Sequence, residues 1–175
     1  PETIPELWLL GSSGQSAQYA AQFGLSFTFA HFIAPNGGQS VIQNYIKHFQ
    51  HSPFNKKSRS SLCVFITCAE TEHEARQLAR GRDLVLLKRS KGERGPYPSD
   101  DEIGSYPYTE QDLKLIEYNR PQSLYGDPDQ CVRILSKMAN DYQVEELLIL
   151  TICHDPKDRK ASYKLLADAF NSRKN

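Results

Sequence analysis

Gly11, Ser12, Ser13, Gly14 and Ser16 stand between an apolar run, LWLL, and an alanine-rich segment, AQYAAQF. Small, donor-rich residues at a strand-to-helix junction suit an anion. The unpaired N–H groups of a first helical turn point outward, the macrodipole favours negative charge, and serine hydroxyls add donors without bulk. The same residues have a plainer use, in which Ser12 or Ser13 caps the helix and Ser12 pairs with Gln15 in an S-x-x-Q box. They also admit a nucleophile. Gly11-Ser12-Ser13 sits where a G-x-S-x-G elbow would place its serine, although the fifth position is Gln15 and not glycine. A Ser13 hydrolase would further need a histidine and an acid; His154 and either Asp127 or Asp155 are present, none at a spacing that compels the assignment.

His31 and His154 directly follow apolar runs. That puts them at the carboxyl ends of the second and fourth expected strands, the end at which barrel enzymes carry their sites. A loop histidine bonded to backbone is the alternative for each. His48, His51 and His73 fall on expected helical or loop surface. Cys63, Cys68, Cys131 and Cys153 are scattered, with no CxxC pair and no Cys/His group at zinc spacing, so they read as reduced core residues and no metal site is expected.

The elements that must position these residues alternate between strand and helix. Leu7 to Leu10 is a short apolar run suited to a strand buried on both faces. SAQYAAQF then places Ala17, Ala20, Ala21 and Phe23 on one helical face, and Gly24 can end the helix in a left-handed conformation. LSFTFAHFI supplies a second strand, and GGQSVIQNYIKHF a helix with Val41, Ile42, Tyr45, Ile46 and Phe49 at helical spacing. Ser61 to Cys68 is β-branched and aromatic enough for a third strand. Thr71 and Glu74 form a capping box for the long helix that follows.

The stretch Ser90 to Tyr108 is rich in Gly, Pro, Ser and charge, and is expected to be a flexible surface excursion, mobile or lying over the carboxyl face as a lid. Order resumes with the helix of TEQDLKLIEY, a second helix capped by Asp127 with Pro128 at its first position, a fourth buried strand in EELLILTI, and a helix in DPKDRKASYKLLADAF. Four strands alternating with helices imply a parallel sheet with right-handed crossovers. A four-stranded open α/β sandwich and half of a (β/α)8 barrel both satisfy that pattern.

Charge excludes some partners. With 21 basic and 21 acidic residues among 175, the formal charge is zero, so no broad field recruits nucleic acid or an anionic membrane. The basic clusters NKKSR and KRSKGER read as solvated surface. No apolar run approaches the roughly 20 residues of a membrane span, and PETIPELW lacks the pattern of a secretory signal, so a soluble, cytoplasmic protein is expected.

LWLLGSSGQSAQYAAQFGLSFTFAHF resembles the fifth strand, phosphate loop, fifth helix and sixth strand of the luciferase-like flavin monooxygenases, the family of bacterial luciferase. The likeness continues through the third apolar run and ETEHEARQLA, through LYGDPDQCVRILSKMANDYQVEELLILT, similar to a G-x-P-x-x-V segment leading into the eighth strand, and through HDPKDRKASYKLLADAF. Cys131, where valine is common, and Gln143, where glycine is frequent, depart from the pattern at helix packing and a turn.

The resemblance implies an α/β fold in which the chain is the C-terminal half, strands five to eight, of a (β/α)8 TIM barrel. It also implies a partner in the missing N-terminal half, so the chain is expected to be a piece of a longer product or to associate with itself. It implies reduced FMN as cofactor and O2 as co-substrate in the oxygenation of a small organic substrate, and leaves flavin against deazaflavin open. Ser12, Ser13, Gly14 and Ser16 match the loop that holds the flavin phosphate. His31 would face the flavin ring region, in proton transfer or substrate contact. The isolated chain is expected to be inactive, with exposed edges at its first and last strands. Its alternatives are a non-catalytic flavin-binding or interaction remnant and the Ser13 hydrolase.

Overall fold

Each expected βα pair forms, and the parallel ladders between successive strands fix which residues lie side by side. The computed structural model describes residues 5–173; the first four residues of PETIPELW lie outside them. Two compact units divide the chain, one of residues 1–64 and 135–149, the other of residues 65–134 and 150–175.

In the first unit, β1 (Trp8–Gly11) pairs in parallel with β2 (Ser26–Ala30), and β2 pairs in parallel with the opening of β3 (Ser60–Cys68). Helix α1 (Gly14–Phe23) buries Ala17, Ala20 and Ala21 completely. Phe23, expected on the same face, is instead 64% exposed. The helix stops at Gly24, whose φ of 62° is left-handed. Its N–H bonds back to Ala21 O, that of Leu25 bonds to Ala20 O, and a Cβ on Gly24 would meet Ser52 and the Gln50 carbonyl. Helix α2 (Gly38–His48) buries Ile42 and Tyr45, while Ile46 is exposed. The Tyr45 ring lies 5.4 Å from that of Phe27, and its hydroxyl reaches the carbonyls of Leu25 and Arg59. The unit also holds the end of α6 (Pro128–Tyr142) and most of β5 (Glu146–Leu150), which pairs with β3.

In the second unit, the end of β3 pairs in parallel with β4 (Leu124–Gly126), and Cys68 stands opposite Gly126. Thr71 and Glu74 cap α3 (Glu72–Ser90) reciprocally, as expected. The segment 90–108 carries a short helix, α4 (Asp100–Ser105), that its composition did not announce. Ile103 on α4 packs with Leu84 and Leu87 of α3, joined by Leu115 and Ile116 of α5 (Glu110–Tyr118). Three acidic residues in its first turn and a Ser99 cap sustain so short a helix. Asp127 accepts from the Gln130 N–H at the start of α6, and Asp155 from the Lys157 N–H at the start of α7 (Pro156–Asn171).

Two expectations are corrected. Five strands are present among the described residues, not four, because β4 has only three residues and ends on glycine, too short for a periodic signal. The outer strands are not buried on both faces either: Leu10 of β1 is 56% exposed, and Glu146, Leu148 and Leu150 of β5 are all exposed. A strand buried on both faces needs cover on each, and among the described residues β1 has β2 as its only strand neighbour. No helix among the described residues is long and apolar enough to cross a membrane.

Candidate anion site and buried histidine

The β1–α1 turn is held by its own serines. Ser13, in extended backbone, is the cap: its Oγ accepts from the Ser16 N–H at 3.2 Å, and Ser16 Oγ accepts in turn from the Ser13 N–H at 3.3 Å. The box therefore joins Ser13 and Ser16, not Ser12 and Gln15; the Gln15 side chain donates to the Tyr19 hydroxyl instead. Ser16 Oγ gives its proton to the Ser13 carbonyl at 2.7 Å, so in the 3.3 Å contact between the two hydroxyls Ser13 is the donor. Gly11 is required beneath this arrangement, since a Cβ there would lie 2.2 Å from Ser16 Oγ.

The cap satisfies only part of the helix start. The Ser16 N–H meets Ser13 Oγ and the Ala17 N–H meets the Ser13 carbonyl, while the Gly14 and Gln15 N–H groups have no acceptor among the described residues. No acidic side chain stands in the first turn to answer the positive end of the dipole. Ser13 and Gly14 are exposed, Ser12 and Ser16 half-buried. All four expected residues thus come together in one exposed, donor-rich turn.

His31 follows β2 immediately. Gly11 and Phe29 are opposite each other in the β1–β2 ladder, so the serine turn and His31 leave adjacent strands at the same end. The imidazole is 6% exposed and lies edge-on to the Tyr142 ring at 6.0 Å, the ring that also meets Phe29 at 6.1 Å. Its Nδ1 is buried with no hydrogen-bond partner among the described residues. Burial lowers its pKa to about 4, so the ring is neutral at neutral pH.

The groups proposed for a Ser13 hydrolase have other occupations. Ser13 Oγ is bonded to Ser16, and both candidate acids, Asp127 and Asp155, cap helices. His154 is exposed after β5. His48 bonds the Asn44 carbonyl through Nδ1 at 2.9 Å. All four cysteines are free and buried, and no group of His, Cys, Asp or Glu able to hold a metal occurs among the described residues.

A polar pair went unseen in the sequence. Thr28 and Ser61, opposite each other on β2 and β3, are buried and share a hydrogen bond of 2.8 Å, and neighbouring Ser26 Oγ is buried without a partner. The alternation of Ser26 and Thr28 with Phe27 and Phe29 was the available signal, masked by reading SFTFA as one apolar run.

No family model matches the chain. Over 172 residues it is 36% identical to the uncharacterized protein YwcH of Bacillus subtilis (strain 168), which covers 96% of this chain and 51% of that protein. Over 167 residues it is 28% identical to a luciferase-like monooxygenase of Escherichia coli (strain K12), covering 95% and 50%. Among solved structures, the crystal structure of apo-MsnO8 matches with a TM-score of 0.83 at 35% identity, over 95% of this chain and 51% of that one. The chain spans about half the length of the curated relatives it matches. Over that half the chain is similar to proteins named luciferase-like monooxygenase.

Proposed function

We propose that this chain is the flavin-phosphate half of a flavin monooxygenase barrel, corresponding to strands five to eight, and that it works with FMN and O2 on a small organic substrate once an N-terminal half completes it. The observation that carries the reading is the start of α1, with two open N–H groups, an exposed Ser13 and no carboxylate, in a chain similar to a luciferase-like monooxygenase. These residues fit a phosphate. The Gly14 and Gln15 N–H groups and the Ser12 and Ser13 hydroxyls would hold it, while Ser16 secures the turn from beneath. A reduced flavin held there would supply the activation of dioxygen and the transfer of one oxygen atom to the substrate.

A histidine with a pKa near 4 is a poor proton acceptor at neutral pH, so His31 serves as a neutral hydrogen-bonding contact through its free Nδ1. Tyr142 fixes the plane of its ring. The exposure of Leu7 and Leu10 at the β1 edge supports a partner there, either the N-terminal half or a second copy. The free cysteines suit the cytoplasm.

The test compares FMN with riboflavin, which lacks the phosphate, by fluorescence titration of the purified chain. FMN binding at least about tenfold tighter, a difference of about 1.4 kcal/mol, is expected; equal affinities overturn the phosphate assignment. Oxygenation is expected only when an N-terminal half from a full-length relative is added. Turnover by the lone chain contradicts that requirement.

A further inference from the structure

We propose that Cys68 and Cys131 form an oxidisable dithiol, which hydrogen peroxide converts into a disulfide. Cys68 ends β3 and Cys131 lies in the first turn of α6, far apart in sequence but joined by the β3–β4 ladder. Cys68 and Gly126 are partners in that ladder, and partners on neighbouring strands lie about 4.8 Å apart with their side chains on one face. Gly126 puts no side chain there. Cys131 Sγ takes the space, donating to the Gly126 carbonyl at 3.3 Å and lying 3.5 Å from the point a Cβ on Gly126 would occupy. Cys68 Sγ donates to the Ala69 carbonyl at 3.9 Å, and with no side chain on Gly126 the two sulfurs are neighbours on one face of the ladder. The Cys68 backbone is fixed as well, its N–H donating to Ser162 Oγ at 2.9 Å.

The environment also assigns an order of reaction. The neighbouring Cys131 thiol lowers the pKa of Cys68, while Cys68 and burial raise that of Cys131, so Cys68 is the first of the two to ionise. Cys68 lines a cavity of about 490 Å³ with Ala69, Leu78, Ala161 and Leu165, through which a molecule as small as peroxide can reach it. The Cys68 thiolate attacks one peroxide oxygen, the O–O bond breaks, and the departing hydroxide takes up a proton as the first water. Cys131 sulfur then attacks the resulting Cys68 sulfenic acid. The S–O bond breaks, an S–S bond forms, and the hydroxyl leaves with the Cys131 proton as the second water. Two thiols are oxidised and one peroxide is reduced. Cys63 and Cys153, whose pKa values burial raises to about 11, stay as thiols.

The experiment treats the reduced chain with a modest excess of hydrogen peroxide, alkylates it under denaturing conditions and maps its peptides by mass spectrometry. Loss of two of the four thiols is expected, with the Cys68 and Cys131 peptides linked within one chain and released by dithiothreitol. Four alkylated cysteines, a link through Cys63 or Cys153, a link between two chains, or a Cys68 sulfinic acid without a link would each overturn it. Cys131→Ser is expected to leave a Cys68 sulfenic acid that dimedone traps, and absence of that adduct contradicts the order. Should that variant fail to fold, Cys63→Ser provides the second arm: it must form the same link, and loss of the link there sinks the proposal.

Discussion

Two strand-to-helix turns in this chain are capped alike and charged differently. At β1–α1, Ser13 and Ser16 bond reciprocally; at β3–α3, Thr71 and Glu74 do the same. The α3 start carries Glu72 and Glu74 in its first turn, so the protein answers its own helix dipole there. The α1 start carries no acid, and its positive end is left for something outside the chain. Helix α2 also lacks an acid, but Gly37 caps it without any side chain and offers no hydroxyl. A box that is complete in hydrogen bonds is therefore not complete in charge, and it is the charge that separates a structural turn from a candidate ligand turn.

The contrast breaks most sharply if α1 is given the missing acid. Ser13→Asp keeps a good cap, so the melting temperature should hold, while FMN affinity falls about 100-fold, or about 2.7 kcal/mol, because a carboxylate occupies the anion's place. Unchanged affinity in a titration against wild type would refute the assignment.

Acid sharpens the picture at the neighbouring strand end. His31 is held neutral, with a folded pKa of about 4 against 6.5 unfolded. The unfolded chain takes the proton first, so stability is fully present above pH 6.5, declines as pH falls toward 4, and levels off below it. The loss should be roughly 3 kcal/mol, and chemical denaturation across this range should show it shrinking in His31→Gln. An identical pH profile in the variant would remove His31 as its source.

Smaller effects test the α3 side. Thr71→Ala should cost about 1 kcal/mol in urea unfolding and leave FMN binding untouched, whereas Ser13→Ala should cost about the same and weaken FMN as well. Glu72→Gln, which removes one first-turn charge while its amide can still meet Gln130, should cost only about 0.5 kcal/mol, declining with added salt.

Much of this was legible in the sequence because local rules govern it. Alanine spacing placed the buried face of α1, Gly24 its end, and Thr71 with Glu74 the start of α3. What escaped depends on contacts made from a distance. Ser12 and Ser13 are equally good caps on paper, and only the turn's path over Gly11 decides between them. Phe23 falls at a helical spacing yet is largely exposed, and Leu10, apolar enough for a covered strand, is more than half exposed. Strand β4 is too short to show a period. The ring that His31 meets, Tyr142, lies more than a hundred residues away, and no local pattern announces the contact.

Trp8 is the chain's single tryptophan, and it sits on β1, half-buried, with the Arg59 guanidinium 5.1 Å from its ring centre. One indole at the open edge of the sheet makes the protein optically self-reporting. Whatever closes over that edge takes water from the ring, and the emission maximum should move to the blue in step with assembly. The intrinsic fluorescence of the chain is thus a direct, label-free signal for the arrival of any partner that covers β1.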